Sequence, residues 1–441
     1  MNRYQKLLLS ALLLFGHNLC AERVSIDVHD ENKTATWIAL PYAFNSETMG
    51  TTLGVGAIFN GYIQPQMTSF VTAFRGKSME VGDQNQNTEA NTYGGVVSVY
   101  NYRPWFSERL FVSFLGSYAY YPQQKIYVNG SNDSVKSTSV SASSVSPLIT
   151  QGYNNWGYMT FRYVLPWGEN ATNPITTYKL DQGIPVNRDE YGGGTPIETG
   201  RSILELKPFY TKWTADKLSE EPQWQTAGLR LMFQHDNTDY IDNPLRGYGF
   251  KTSYTQDFGG GLSTQSWNAL EGEYSQYIDL SGVPYTRHSS LALNVWSAYS
   301  PSWDHGEKLN SDNPNAVIDA HRPPPWEGAR LGGWNRLRAY DSNRFNDKAA
   351  IYYGAEYRVI PEFNPMKDEK WFPFPIDWFE FVAFAEAGRV APNYQSEMFY
   401  KDLKSDVGFS IRALAAKVPV RFDMATGSEG STMWVMIQQP F

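Results

Sequence analysis

Leu331-Gly-Gly-Trp-Asn-Arg-Leu-Arg-Ala-Tyr340 and Phe384-Ala-Glu-Ala-Gly388 decide how this chain is read. The first lies in a long stretch without strand alternation, the second on a clean two-residue alternation. An Arg in an irregular loop and a Glu on the polar face of a strand are what an ion pair inside a barrel needs. Three prolines in His321-Arg-Pro-Pro-Pro325 stiffen the approach, because each fixes φ. Gly332 and Gly333 permit a tight reversal, which leaves Arg338 at a tip bounded by Leu337 and Tyr340. A guanidinium suits such a site because it makes several directed hydrogen bonds and keeps its charge. Glu386 is its natural partner, and Gly388 removes a side chain so that the loop can approach. Breaking a desolvated pair of this kind costs ~3–5 kcal/mol. The alternative is a solvated surface Arg and an unrelated wall Glu.

Around these stretches the chain reads as extended segments of the length that a tilted membrane strand requires. Sixteen are expected: 34–44, 49–59, 66–76, 91–102, 108–120, 153–166, 200–214, 223–236, 248–258, 267–278, 289–299, 349–360, 378–390, 405–415, 418–426 and 432–441. In the thirteenth, Phe379, Phe381, Ala383, Ala385 and Ala387 oppose Glu380, Val382, Phe384, Glu386 and Gly388. A soluble sandwich would also alternate. Aromatics near strand ends (Trp37, Trp213, Trp224, Trp378, Tyr299) favour interfacial girdles in lipid. Phe441 at the end of the last segment is the terminal aromatic expected at barrel closure, and Pro440 removes one backbone donor from that closing strand.

Composition agrees. The chain has 441 residues, 15% aromatic and 19% charged, with 29 Tyr, 24 Phe and 14 Trp. That balance favours β-structure over a helical enzyme. Mean hydropathy is -0.45, and no apolar run beyond the first residues approaches the ~20 a helical span needs. Half of each barrel strand faces water, so a membrane barrel hides in such an average. The net charge of -8 offers no basic patch for nucleic acid.

Arg3 and Lys6 before the apolar run Leu7 to Phe15, with Leu19-Cys20-Ala21 as a cleavage site, predict a signal peptide over 1–21. Residues 22–33 then read as a short periplasmic lead-in and 34–441 as the barrel. Cys20 is the sole cysteine, so cleavage leaves no thiol chemistry. With both ends periplasmic, 60–65, 103–107 and 416–417 are short periplasmic turns, and 121–152 and 300–348 are external loops. The Gly- and Pro-rich 167–199 breaks the rule: either an unusual periplasmic loop or a miscounted hairpin.

Enzyme chemistry finds little support. The six His are scattered, and Gly259-Gly-Gly261 lacks the Lys-Ser/Thr that would cradle phosphate. Asp236, Asp239 and Asp242 could hold a cation, but a charged periplasmic turn is the better reading. No catalytic residue, metal or cofactor is expected.

Gly332-Gly333 with Leu337-Arg338-Ala339-Tyr340 resembles the sixth-loop motif of the BamA/TamA superfamily (the bacterial surface antigen family), usually Val-Arg-Gly-Tyr/Phe. Phe384-x-Glu386-x-Gly388 is similar to its partner motif on the second strand after that loop. Gly228 to Asp236 with Asn243-Pro244-Leu-Arg-Gly247, and Val418-Pro-Val-Arg-Phe-Asp423, also resemble family stretches. Ala339 stands where the family has Gly, and Glu386 where it more often has Asp. The resemblance implies an all-β fold: a sixteen-stranded antiparallel transmembrane β-barrel with the external loop folded into the lumen, Arg338 bonded to Glu386.

It also implies a Gram-negative outer-membrane protein, bounded by outer-membrane lipid and inserted by the assembly machinery. Its work would be non-catalytic: assisting insertion or translocation of proteins or lipids through a weak seam between first and last strands. Family members that do this usually carry POTRA modules. The few residues before the first segment leave no room for one, so a separate periplasmic partner protein is expected. The other reading is a channel or solute transporter plugged by 300–348, which would conduct steadily. A secreted β-protein would instead be soluble without detergent.

Overall fold

The computed structural model describes residues 23–29, 35–46, 49–79, 89–127, 147–214, 224–308, 317–366, 376–415 and 418–441. The expected signal peptide and the turn 416–417 lie outside them. Sixteen strands form one antiparallel sheet in chain order. They are β1 Thr36–Ser46, β2 Gly50–Asn60, β3 Thr68–Met79, β4 Glu89–Tyr102, β5 Leu110–Ile126, β6 Leu148–Val164, β7 Arg201–Trp213 and β8 Trp224–Thr238. The second half comprises β9 Gly247–Asp257, β10 Trp267–Asp279, β11 Thr286–Tyr299, β12 Ala349–Pro361, β13 Ile376–Ala391, β14 Lys404–Ala415, β15 Val418–Gly427 and β16 Gly430–Ile437. Each corresponds to one segment read from the sequence. Each step pairs neighbours along the chain, so the fold is an up-and-down barrel. Among the described residues no ladder joins β1 to β16.

Strand parity separates two surfaces. Leu53, Val55, Leu231, Phe381, Val407 and Phe409 point outward and stay exposed, an apolar belt of the kind lipid covers. Their neighbours point inward and meet groups from the far wall. Asn243 in the β8–β9 turn donates to Glu380 on β13 at 2.9 Å. Ile184 packs with Ile360, Trp378 and Leu414. Contacts across the sheet of this kind exist only if it wraps around a lumen.

Three expectations need correction. The closing strand stops at Ile437, short of 441. Gln438 adopts φ 67, and its N–H bonds the Pro419 carbonyl at 2.8 Å. The chain then turns inward, where Phe441 is buried with Tyr277 and Ala292. Pro440 and Phe441 therefore both lie beyond the closing strand.

Second, Trp213, Trp224 and Trp378 do not form a lipid girdle. They share the parity of the inward rows: Trp213 stacks on loop residue Trp326 at 4.2 Å, with Trp224 edge-on to it, and Trp378 is buried. Trp37 is 62% exposed and does face outward.

Third, 167–199 is no miscounted hairpin, because β6 and β7 pair directly. It folds over the mouth of the barrel at the end of the β8–β9 turn. Thr176–Tyr178 pairs in parallel with Asp27–His29, and Arg188 reaches Asp239 in the β8–β9 turn at 2.8 Å.

Candidate functional site

The connection between β11 and β12 leaves the rim opposite the β8–β9 turn and descends into the lumen. Gly332 and Gly333 reverse it at φ 102 and 112, values that only glycine adopts readily. A Cβ on Gly332 would lie 2.3 Å from the Asp341 carbonyl. Bonds from Gly332 N to Arg336 O and from Gly333 N to Tyr340 O close a compact knot. Within it Leu337, at φ 53, takes the left-handed conformation. Ala339 does not, so alanine in place of the family's glycine is accommodated.

Arg338 is fully buried. Its Nε lies 3.1 Å from Glu386 Oε1, and its backbone N–H donates to Glu386 Oε2 at 2.7 Å. Nη2 stands 2.8 Å from Glu356 on β12 and Nη1 3.4 Å from Asp423 on β15. The guanidinium carbon lies 3.4 Å from the centroid of the Phe384 ring, a desolvated cation–π contact. Burial alone would disfavour the charge. Glu386, Glu356 and Asp423 outweigh it and hold the guanidinium well above its ordinary pKa.

The remaining expected residues take these places. Gly388 lies beside the loop: a Cβ there would come 2.9 Å from Leu331 and 2.8 Å from the Ile351 carbonyl. Tyr340 is buried, and its hydroxyl bonds the Ser405 carbonyl at 3.1 Å. Phe384, Glu386, Tyr340 and Arg338 are thus brought together. Gly332 and Gly333 stand at the reversal, and Pro440 and Phe441 are apart from the cluster.

Several partners were not singled out in the sequence. Asp406 on β14 is the cross-strand neighbour of Glu386 and accepts from Ala339 N at 2.9 Å. Arg421 donates to the Trp334 carbonyl and to Asn335 Oδ1, both at 2.9 Å. The Arg338 carbonyl accepts from Trp434 Nε1 at 2.8 Å and from the Thr432 hydroxyl, both on β16. Around Arg338, the guanidiniums of Arg358, Arg412 and Arg421 interleave with Glu356, Glu380 and Asp423. Charges stacked so closely are tolerable only because nearly all are paired. The arrangement fixes a loop to five consecutive strands, β12 to β16, at once.

At the end of the barrel that carries the β8–β9 turn, Asp236 and Asp239 are engaged by guanidiniums: Asp236 by Arg23 and Arg201, Asp239 by Arg188. Burial lifts the Asp239 carboxyl above the usual range, with Arg188 pulling the other way. Among the described residues no cluster of His, Cys, Asp and Glu has metal-binding geometry.

The fold is shared with a solved structure. CdiB from Escherichia coli superposes with a TM-score of 0.52 at 10% identity, covering 91% of this chain and 61% of its own. The chain thus spans less than two thirds of the length of CdiB. BamA from Haemophilus ducreyi lacking POTRA domains 1–3 aligns over 92% of this chain and 70% of its own, at 13% identity and a TM-score of 0.45. No curated protein matches in sequence. The Omp85 superfamily domain model matches residues 122–430, well over half of the sequence and the part that carries both the loop and its wall acids. The chain belongs to the Omp85 superfamily.

Proposed function

We propose that this protein is an integral Gram-negative outer-membrane barrel that assists insertion or translocation of proteins or lipids, without catalysis, through the seam between β1 and β16. What supports this most directly is the coupling of the lumen loop to the seam. The loop that Glu386 anchors is also bonded, through the Arg338 carbonyl, to Trp434 and Thr432 on β16. β16 pairs with β15 on one side, and among the described residues no ladder joins it to β1 on the other. A strand edge with free backbone donors and acceptors is a template for an incoming strand. The lock would hold β16 in place while its edge is offered. A periplasmic partner protein would deliver the client, and the assembly machinery would insert the barrel itself.

The channel reading is weaker. One cavity in the lumen, lined by Arg162, Glu205, Arg230, Glu273 and Trp296, has a volume of 50 Å³, room for about a few waters.

A reversible staple tests the proposal. One cysteine is placed in Thr36–Ser46 and one in Gly430–Ile437, and the oxidised and reduced forms are compared. Oxidation should block client insertion or secretion and reductant should restore it. Unchanged envelope proteome and secretion with the seam stapled, or after depletion of the protein, would defeat the reading. Steady conductance in planar bilayers that rises on deleting 321–345 would favour the channel.

A further inference from the structure

Residues 23–29 run as an extended segment along the inner wall at the periplasmic end, held in the way peptide-binding proteins hold a ligand. The side-chain amide of Gln234 reads both backbone groups of one residue: Val24 N–H donates to its Oε1, and its Nε2 donates to the Val24 carbonyl, each at 2.8 Å. Asn101 Nδ2 donates to the Ser25 carbonyl at 3.4 Å. Thr176 N–H bonds the Ile26 carbonyl at 3.1 Å, and Asp27–His29 then continue as a parallel strand on Thr176–Tyr178. These contacts are blind to side-chain identity.

Two pockets add side-chain preference. Ile26 is buried among Phe111, Val164 and Ile203. The Arg23 guanidinium meets Asp236 Oδ2 at 3.0 Å and stands 5.0 Å from the Tyr277 ring centroid. The wall organises this acid by itself: Asp236 Oδ1 accepts from Arg201 Nη2, Thr238 N and the Thr238 hydroxyl. Its second oxygen is thereby aimed at a cation. Preformed pockets and backbone clamps lower the ordering cost of binding an extended chain.

We propose that the periplasmic floor of the lumen is a binding groove for an extended polypeptide bearing a basic residue and, three positions later, an aliphatic one, and that Arg23–His29 occupies it in cis. That the ligand in trans is a client or partner segment rests on the function proposed above; the groove itself does not.

The test uses the barrel lacking 23–29, its folding checked by heat-modifiable gel migration, and a fluorescent peptide Arg-Val-Ser-Ile-Asp-Val-His. If the deletion does not fold, full-length R23A/I26S, which weakens the cis segment, takes its place. Saturable binding to the variant and little to the parent chain is expected. Peptides with Arg→Ala or Ile→Ser, or N-methylated at Val, should bind about tenfold or more weakly, each losing a charged bond, an apolar contact or a backbone clamp. Absence of binding to a folded variant, or equal binding of the altered peptides, overturns the groove. Binding without any defect in secretion or insertion on deleting the protein overturns the proposed function and leaves the groove standing.

Discussion

The indole N–H of Trp434 on the last strand donates to the backbone carbonyl of Arg338 in the lumen loop, 2.8 Å away. A loop that enters the lumen from the rim is therefore fastened to a strand at the end of the sheet. Trp434→Phe should cost about 1 kcal/mol, the net worth of one hydrogen bond, because the Thr432 hydroxyl still serves the carbonyl. Adding Thr432→Val leaves that carbonyl buried and unpaired, for a total loss of about 1–3 kcal/mol. Urea unfolding of the barrel in detergent measures both, and equal stability of parent and double variant would refute the tether.

Glu386 bonds both the guanidinium and the backbone N–H of Arg338. Glu386→Ala leaves the Arg338 backbone N–H and Nε without their acceptor while Glu356 and Asp423 still face the cation, and should cost about 1–3 kcal/mol. Arg338→Lys should also be poorly tolerated, because a point charge cannot span Glu386, Glu356 and Asp423 together. Protease cleavage within 321–348 provides the readout: faster cleavage in both variants is expected, and parental rates would argue that the loop is seated by other contacts.

Gly332 and Ala339 behave oppositely. Gly332→Ala places a Cβ 2.3 Å from a carbonyl at φ 102, and a strained position of this type costs about 1–3 kcal/mol. Ala339→Gly, which restores the family's residue, should leave the seating of the loop unchanged, since Leu337 carries the left-handed conformation. The same protease assay separates them. Cleavage accelerated by Ala339→Gly and not by Gly332→Ala would reverse this assignment.

At the end of β7, Trp326 of the loop lies flat on Trp213 at 4.2 Å. Trp213→Ala forfeits that stack, worth about 0.5–1.5 kcal/mol beyond its buried area. Because Trp213 sits at the end of β7, the effect should be local. Hydrogen exchange should rise around 321–330 while β7 and β8 stay protected; a barrel-wide rise would mean that the stack supports the wall.

The sixteen strands and the inward direction of Glu386 were legible because strand parity is written directly into alternating residues. Register is not. Asp406 lies beside Glu386 only because β13 and β14 align at that step, so its bond to Ala339 could not be read. Glu356 and Asp423 stood on the right face, but three strands converging on one guanidinium depend on barrel curvature. Trp213, Trp224 and Trp378 misled for a related reason: an aromatic at a strand end suits lipid or lumen, and phase along the strand decides which. The length of 167–199 was visible, and its partner was not. Parallel pairing with a segment nearly 150 residues earlier leaves no local signature.

Arg23 and Asp236 are separated by 213 positions along the chain. The earliest described residues can dock only after β7 and β8 have been laid down beside β6, since residues of all three are among those that wall their berth. Closing so long a loop is slow and yields its reward late. Docking of 23–29 is accordingly expected to follow the β7–β8 hairpin, and pulse-labelled intermediates should hold that hairpin formed while this segment is still open to proteases.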